Sequence, residues 1–354
     1  MAPVRVALVG YGMAGRVFHA PFIEAADGIE LAAVVTADPG RRRHAQVAHP
    51  AAAIVESADL LWPAAAGLGV DLVVVATPNR AHVPVALAAL GAGLAVVVDK
   101  PLAVTAADGR RVVDEAARRR LLLSVFHNRR WDGDFLTVRR LVAAGALGRV
   151  WRFESRYERW RPERRPEAWR ERSGPQEGGG LLADLGSHLV DQAVVLFGPP
   201  VSVYAEVACR RPGAVVDDDT FVALEHADGT TSHLWASSVT ARNGPRFRVL
   251  GSAGGYVVEG MDPQEEALLA GALPGSAGWG TSPESRWGTI GAGDDVAPVP
   301  TEPGNYGRFY EGIVAALRHG APPPVAPADA LLTLEVIDAA RRSAALRRPV
   351  ALGK

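Results

Sequence analysis

The sequence is poor in the features that cross-link chains, span membranes or attract polyanions. Its one cysteine, Cys209, excludes an intramolecular disulfide and a cysteine metal cluster, and we expect no bound metal. No run approaches about 18 uncharged apolar residues, which argues against a membrane span. The start "MAPVRVALVG" does not show the basic region, long apolar segment and small-residue cleavage site of an export signal, so we expect none. The chain has 38 basic and 39 acidic residues, so we do not expect a nucleic-acid or membrane partner. We expect a small-molecule ligand and a reduced, cytoplasmic setting.

Lysine is also nearly absent, and the position of one of the two lysines is informative. Of the 38 basic residues, only Lys100 and the terminal Lys354 are lysine. Arginine is always charged, whereas a lysine amine can give up and regain a proton. Position 100 therefore suggests a role in proton transfer. The alternative is that a thinner side chain was kept by chance beside Pro101.

Residues 1–126 have the pattern of a doubly wound parallel sheet. Five short Val- and Leu-rich runs indicate strands buried on both faces: VRVALVG, ELAAVVT, DLVVVAT, LAVVVDK and LLLSVFH. Helical patterns lie between them, one ending at Gly91 or Gly93 and another with Thr105 as its N-cap. The alternation predicts an α/β protein with an N-terminal Rossmann domain over residues 1–126.

Residues 127–354 have a different pattern. "RVWRFESRYERW" alternates as a half-buried strand does, and hairpins are predicted at Asp228-Gly229 and Gly254-Gly255. We expect residues 271–304 to form a surface loop and two helices to follow it. The sequence predicts a C-terminal α+β substrate and oligomerisation domain with a large mixed, mostly antiparallel open sheet.

A glycine-rich loop follows the first predicted strand. "LVGYGMAG" has Gly10, Gly12 and Gly15 in the G-x-G-x-x-G spacing, directly before a helical pattern. These glycines permit a tight turn and a close backbone approach, and the helix N-terminus favours a pyrophosphate. The loop predicts dinucleotide binding.

The end of the second predicted strand bears on which dinucleotide binds. The ribose-binding acid expected about 20 residues after the loop falls on Thr36. Without a carboxylate there, and with Arg41 and its neighbours beyond, a 2′-phosphate would meet a hydroxyl and guanidinium groups. We expect NADP in preference to NAD. The arginines also suit a solvated helix start, and Asp38 remains a partner for a ribose hydroxyl.

Four segments in order resemble the Gfo/Idh/MocA family of sugar and inositol dehydrogenases: GYGMAGRVFHAPFI, ATPNRAHV, VVVDKP and LLADLGSHLVDQ. "VFHAP", "SVFHNRRWDGDFLT" and "DLGSHLVDQ" are closest to the branch with NADP-dependent scyllo-inositol dehydrogenase. The resemblance covers the whole chain. It implies a Rossmann domain, a large-sheet domain, a homodimer or homotetramer, and a cyclic polyol or sugar as substrate.

The resemblance also implies site residues. The family's E-K-P motif falls on Asp99-Lys100-Pro101 with a shorter acid, its T-P-N segment on Thr77-Pro78-Asn79, and its D-x-x-x-H pair on Asp184 and His188. The candidate cofactor-binding residues are Gly10, Tyr11, Gly12, Met13, Ala14, Gly15, Thr36, Asp38, Arg41, Thr77, Pro78, Asn79, His82, Asp99 and Lys100. His19 is a weaker candidate, because histidines near a cofactor often only cap or pack.

Alcohol oxidation sends a hydride to the nicotinamide and a proton to a base. Asp184 and His188, four apart in a helical pattern, would share one face. We expect His188 to take the hydroxyl proton, Lys100 to hydrogen-bond the same oxygen, and Asp184 to orient substrate or His188. A helix-surface pair or a satisfied core histidine is the alternative reading.

The candidate substrate residues combine planar donors with aromatic faces: Asn128, Arg130, Trp131, Tyr157 and Trp169. Asn128 and His127 follow the fifth predicted strand, an edge where ligands gather. An exposed loop explains the Arg- and Trp-rich segment equally well.

The sequence therefore predicts an NAD(P)-dependent dehydrogenase acting on a CH-OH group of a cyclic polyol or sugar. Two alternatives remain open. One is a reductase of a different carbonyl or ring substrate, and the other is a non-catalytic cofactor sensor on the same fold.

Overall fold

The computed structural model describes residues 2–165, 167 and 169–353. The chain forms two compact units. The first contains the chain through Asn128 together with Gln264–Trp279 and Tyr306–Leu331. The second contains Arg129–Pro263, Gly280–Asn305 and the chain from Leu332 onward. The predicted division into 1–126 and 127–354 therefore differs from the structure, in which two later segments join the first unit.

The strands are β1 Val4–Val9, β2 Ile29–Val35, β3 Ala53–Val55, β4 Leu72–Val75, β5 Ala95–Asp99, β6 Leu123–Phe126, β7 Val150–Glu158, β8 Pro200–Ala208, β9 Asp219–His226, β10 Thr231–Ser237, β11 Phe247–Gly251, β12 Gly254–Val258, β13 Gly288–Ala292, β14 Asp295–Val299 and β15 Val350–Ala351. The α-helices are α1 Ala20–Ala25, α2 Pro39–Ala48, α3 Ala58–Ala64, α4 His82–Gly91, α5 Ala106–Arg119, α6 Gly133–Ala143, α7 Trp169–Arg172, α8 Leu181–Asp184, α9 Gly186–Phe197, α10 Gln264–Leu269, α11 Gly307–His319 and α12 Pro327–Leu346. A π-helical turn, Ala14–His19, precedes α1, and 3-10 turns occupy Asn79–Ala81, Asn128–Trp131, Pro175–Glu177 and Glu284–Arg286.

The first unit contains a six-stranded parallel sheet in the order β3-β2-β1-β4-β5-β6. This order reverses between β1 and β4, and dinucleotides bind beyond the carboxyl ends of such a sheet at that reversal. The central strands are buried throughout, as their continuous Val and Leu runs predict. The predicted Rossmann architecture is confirmed, with β3 as a short edge strand that the sequence pattern did not reveal.

Helix α5 shows how local sequence sets the element boundaries of this unit. The Thr105 hydroxyl accepts the Asp108 amide at 3.2 Å and caps the first turn, as predicted. Val112 and Ala116 face the core, while the arginines of the same helix face solvent. The apolar stripe therefore attaches α5 to the sheet.

The second unit contains a nine-stranded sheet in the order β14-β13-β12-β11-β7-β10-β9-β8-β15. Only β7 and β10 pair in parallel, so the predicted mixed, mostly antiparallel sheet is confirmed. The inward residues of β7 and β11, including Phe153 and Phe247, join Leu189 of α9 in one hydrophobic core. This packing places the polar face of α9 within the unit rather than at its surface.

Two local predictions in the second unit are wrong. The turn between β11 and β12 is made by Ser252 and Ala253, and Gly254-Gly255 opens β12 instead. The segment 271–304 is not all loop, because β13 and β14 pair across it as a hairpin. Strand β14 is short, largely exposed and contains Pro298, so its pattern resembles that of a loop.

The described part of the chain has no single helix that is long and apolar enough to cross a membrane. One bent pair, Pro175–Asp184 with Gly186–Phe197, meets the length and composition criteria only when its two arms are joined across a 59° bend. Its second arm is largely buried in the core of the second unit.

Candidate active site

The glycine loop joins β1 to the π-helical turn, and its three glycines meet different surroundings. A Cβ on Gly10, whose φ is +102°, would overlap the Ala76 carbonyl, and one on Gly15 would overlap the Gly10 carbonyl. A Cβ on Gly12 would meet only the Arg41 guanidinium, at 3.8 Å. The fold thus requires Gly10 and Gly15, whereas Gly12 leaves open backbone where a pyrophosphate fits. The residues present fit a dinucleotide.

The side chains within this loop point in different directions. Met13 is exposed and Ala14 is half-buried at the start of the π-helical turn. Tyr11 is buried, and its hydroxyl lies 2.8 Å from His49 Nε2, whose Nδ1 lies 2.6 Å from Glu24. Burial raises the pKa of Tyr11 above its usual value. Tyr11 therefore packs against the fold through its ring, which leaves its backbone to contact a cofactor.

The end of β2 holds the residues expected to contact the adenosine ribose. Thr36 is buried, and its backbone N–H donates to the Val55 carbonyl. Asp38 caps α2 by accepting the Arg41 amide at 2.8 Å. Arg41 itself is exposed, with its guanidinium beside Gly12. No carboxylate stands at position 36, and a cation covers the loop, which is the pattern that suits a 2′-phosphate.

The carboxyl ends of β4 and β5 hold the next group. Thr77 and Asn79 follow β4, where Pro78 precedes the 3-10 turn that leads into α4. Lys100 follows β5 and is half-buried. His82, at the start of α4, is fully buried between them, with Nε2 2.9 Å from the Thr77 carbonyl and Nδ1 2.8 Å from the Pro101 carbonyl. Both ring nitrogens of His82 therefore face backbone carbonyls, and its predicted cofactor contact remains a prediction.

Asp99 lies directly before Lys100 and is also directed into the protein. Its Oδ1 accepts the Lys100 backbone N–H at 2.9 Å and lies 3.7 Å from His19 Nε2. Burial alone would raise the pKa of Asp99, but His19, Lys100 and His82 outweigh it and lower the pKa below the usual value. The shorter acid of the D-K-P motif therefore stays ionised, and its oxygen holds the lysine backbone instead of facing a cofactor.

His19 occupies a buried position below this motif. Its Nδ1 lies 2.6 Å from the hydroxyl of Tyr310, which belongs to α11. Phe126 packs on its ring, with centroids 4.4 Å apart. This contact joins α11 to the first unit, and its partner Tyr310 lies 291 residues away along the chain.

In the second unit, Asp184 and His188 do not lie on one continuous helix. Asp184 ends α8 and His188 lies in α9, and the two arms meet at 59°. Asp217 holds the first turn of α8 by accepting the Leu182 amide at 2.7 Å, and Gly186 lowers helix propensity after the break. The prediction that the pair shares a face through regular helical spacing is wrong.

The two side chains differ in environment. Asp184 is partly exposed, and its Oδ1 lies 3.2 Å from Arg170 Nε. His188 is buried, with its ring edge-on to that of Tyr157 at 6.3 Å. Histidine is the side chain that most often serves as a general base, so His188 remains the candidate for proton transfer.

Two candidate substrate residues belong to the buried structure. Arg130 forms a bidentate pair with Asp191 at 2.8 and 2.6 Å. Tyr157 is 1% exposed, and its hydroxyl accepts Arg246 Nη2 at 2.7 Å. Both polar groups have internal partners, and the predicted substrate contacts of Arg130 and Tyr157 remain predictions.

The other three candidate substrate residues are Asn128, Trp131 and Trp169. Asn128 is buried at the start of the 3-10 turn, and Trp131 ends that turn half-exposed, with its carbonyl accepting the Asn305 amide. Trp169 opens α7, but its side chain lies outside the described part of the structure. Their roles remain predictions.

A charged network centred on Arg246 was not predicted from the sequence. This side chain is 2% exposed, and it donates to Ser155, Tyr157 and Gln192 at 2.5, 2.7 and 2.9 Å. Its Nε lies 3.4 Å from a carboxylate oxygen of Asp134, and burial raises the pKa of Asp134 to about 6. The network holds α9 against β7, and α9 carries His188.

Comparisons with known proteins match this architecture. The oxidoreductase-family model for an NAD-binding Rossmann fold matches residues 4–127, and the GFO/IDH/MocA C-terminal domain matches residues 135–257. The chain belongs to the Gfo/Idh/MocA family. Membership confirms that this is an oxidoreductase with an NAD(P)-binding domain.

Individual relatives extend over the whole family fold. The uncharacterized oxidoreductase YdgJ of Escherichia coli is 39% identical over 99% of both chains. The NADP(+)-dependent scyllo-inositol 2-dehydrogenase IolW of Bacillus subtilis is 33% identical over 99% of this chain and 96% of its own. The structure of the oxidoreductase YvaA from Bacillus subtilis superposes with a TM-score of 0.93 at 32% identity, covering 99% of each chain.

Within the described residues, no group of three or more His, Cys, Asp or Glu side chains is arranged to hold a metal ion.

Proposed function

We propose that this Gfo/Idh/MocA chain is a cytoplasmic, NADP-preferring dehydrogenase that oxidises a secondary alcohol of a cyclic polyol or sugar, with scyllo-inositol as the model substrate. Two observations together support the cofactor preference. Position 36 is a threonine and not an acid, and the guanidinium of Arg41 lies beside Gly12. The full-length similarity to an NADP-dependent scyllo-inositol dehydrogenase supports the substrate class.

When bound, the nicotinamide accepts the hydride that leaves the carbinol carbon. The chain must then manage the proton. In the proposal, His188 takes the hydroxyl proton, Lys100 donates a hydrogen bond to the same oxygen as negative charge develops, and Asp184 orients the substrate hydroxyls or His188. The internal bond from the Lys100 backbone to Asp99 supports this role, because it fixes the base of the lysine side chain.

Arg41 provides the test of cofactor preference. Because a hydrogen bond to a charged group contributes about 1.5–3 kcal/mol, Arg41→Ala is expected to weaken NADP+ binding by about 10-fold or more while changing NAD+ binding little. Calorimetric titration with each cofactor measures both effects. Arg111→Ala, which removes an exposed arginine from α5, is the control. If Arg41→Ala weakened the binding of both cofactors equally, Arg41 would be assigned to the pyrophosphate and would not explain the preference for NADP.

Activity itself is tested by following NADPH formation at 340 nm with a panel of inositols, aldoses and sugar acids, and NADPH consumption with the corresponding carbonyls. The proposal predicts turnover with at least one cyclic polyol and faster turnover with NADP+ than with NAD+. Turnover only in the carbonyl direction with an unrelated ketone would replace it by the reductase function. Tight cofactor binding without turnover on either panel would indicate a sensor.

The open face of the nine-stranded sheet supports the proposed homodimer or homotetramer. It carries adjacent aromatic rings, with Phe221 and Trp235 centroids 5.1 Å apart and Arg156 stacked 4.0 Å from Trp235. Light scattering should give two or four times the 37.3 kDa chain mass, and a monomeric mass would refute this assembly.

A further inference from the structure

The ring of His82 joins two loops that follow neighbouring strands. It lies at the first residue of α4, and none of its surface is exposed. Nε2 lies 2.9 Å from the Thr77 carbonyl, directly after β4, and Nδ1 lies 2.8 Å from the Pro101 carbonyl, directly after β5 and Lys100. Both distances are those of good N–H···O hydrogen bonds.

The two partners determine the number of protons on the ring. A backbone carbonyl only accepts hydrogen bonds, and a neutral imidazole has one N–H donor. In either neutral tautomer, one ring nitrogen would direct its lone pair at a carbonyl oxygen, in a place with no solvent. We infer that His82 is a buried imidazolium that donates to both carbonyls and acts as a positioning residue for Lys100.

His226 provides a comparison within the same chain. It is also buried, with Nδ1 2.9 Å from the Gly198 carbonyl and Nε2 2.8 Å from the Ser232 hydroxyl. A hydroxyl can donate as well as accept, so one neutral tautomer satisfies both contacts. Burial lowers the pKa of His226, which agrees with a neutral ring. The two histidines differ in their second partner, which is a carbonyl that can only accept for His82 and a hydroxyl that can also donate for His226.

A buried cation needs a counter-charge, and the first unit supplies one. The carboxylate of Asp99 is buried at the end of β5, next to Lys100 and within 3.7 Å of His19. His82 is one of the groups that keep this carboxylate ionised against the effect of burial, with His19 and Lys100. The three cationic or protonatable groups around Asp99 therefore form one electrostatic cluster.

The consequence for function follows from the place of the two carbonyls. One belongs to the T-P-N segment and the other to the residue after Lys100. By holding both, the imidazolium fixes the distance between the two loops without contacting a ligand. This role rests on the proposed function of Lys100, but the charge of His82 does not.

The protonation state is measured directly by NMR of protein labelled with 15N-histidine, at about pH 8, where an exposed histidine is neutral. The resonances of His82 are assigned by their loss in His82→Gln, or in His82→Asn if the first variant does not fold. We expect a one-bond N–H coupling at both ring nitrogens of His82 and at only one of His226. A single protonated nitrogen on His82 would overturn the inference, whether or not the protein is a dehydrogenase.

The positioning role is measured by kinetics of the same variant. Glutamine can donate toward one carbonyl but carries no charge, so kcat should fall about 10- to 10²-fold, a larger change than that in the KM for NADP+. His226→Gln, in the other unit, is the control and should keep the wild-type kcat. A wild-type kcat in His82→Gln would refute the positioning role even if the ring proves to be charged.

Discussion

Replacing Lys100 by alanine is expected to lower kcat by at least about 10²-fold, within the range for loss of a proton-transfer or oxyanion-stabilising group. Lys100 is one of only two lysines among the 38 basic residues of the chain, and its backbone N–H donates to Asp99 Oδ1 at 2.9 Å. The glycine loop follows β1 and Lys100 follows β5, two strands away in the sheet, so the dissociation constant for NADP+ should change little. Steady-state kinetics and cofactor titration measure the two effects separately.

Lys100→Arg separates charge from proton exchange. Arginine keeps the positive charge but does not release a proton and has a broader, planar head. We expect this variant to recover little of the lost kcat. Full recovery would show that only charge is needed at position 100, and wild-type activity in Lys100→Ala would remove the residue from the reaction.

Replacing Arg246 by methionine is expected to destabilise the protein by about 3–5 kcal/mol, because it leaves buried polar partners without their cation. Asp134, Tyr157 and Gln192 all depend on this guanidinium. The loss should also reduce kcat, since the network holds the helix that carries His188. Urea denaturation followed by circular dichroism measures the change in the free energy of unfolding.

Arg248 is the matched control for this substitution. It lies two residues further along, its side chain is 47% exposed, and its nearest carboxylate, Glu154, is 3.7 Å away and is also held by Arg156 at 2.7 Å. Arg248→Met should therefore cost less than about 1 kcal/mol. Equal destabilisation by both substitutions would mean that the buried network contributes no more than a surface charge.

The contrast between these arginines shows a limit of sequence reasoning. Residues two apart in a strand point to the same side, so alternation assigns Arg246 and Arg248 to one solvent-facing side. Strand β11 begins only at Phe247, and the chain before it turns Arg246 into the core. A single-residue change of strand boundary thus hides the role of Arg246 in the buried network.

Features with strong local causes could be predicted. The parallel sheet follows from continuous Val and Leu runs, and the dinucleotide loop from the spacing of Gly10, Gly12 and Gly15 within a strand-turn-helix segment. The start of α5 follows from one capping hydroxyl, that of Thr105. In each case the residues that decide the structure are adjacent in sequence.

Features that depend on distant partners could not be predicted. Asp217 holds the first turn of α8 and thereby separates it from α9, although Leu182 and Asp217 are 35 residues apart. Tyr310 reaches His19 across 291 residues. The ring of His82 faces two carbonyls because of how β4 and β5 end, and side-chain patterns carry no information about backbone acceptors.

The central claim is hydride transfer from a carbinol carbon of a cyclic polyol to NADP+. The most direct measurement incubates the protein with NADP+ and scyllo-inositol that carries deuterium on every ring carbon, and analyses the cofactor by mass spectrometry and proton NMR. The account predicts NADPH with one deuterium at C4 of the nicotinamide, and none of it from Lys100→Ala on the same timescale. NADPH without deuterium, or cofactor that stays fully oxidised while bound, would contradict it.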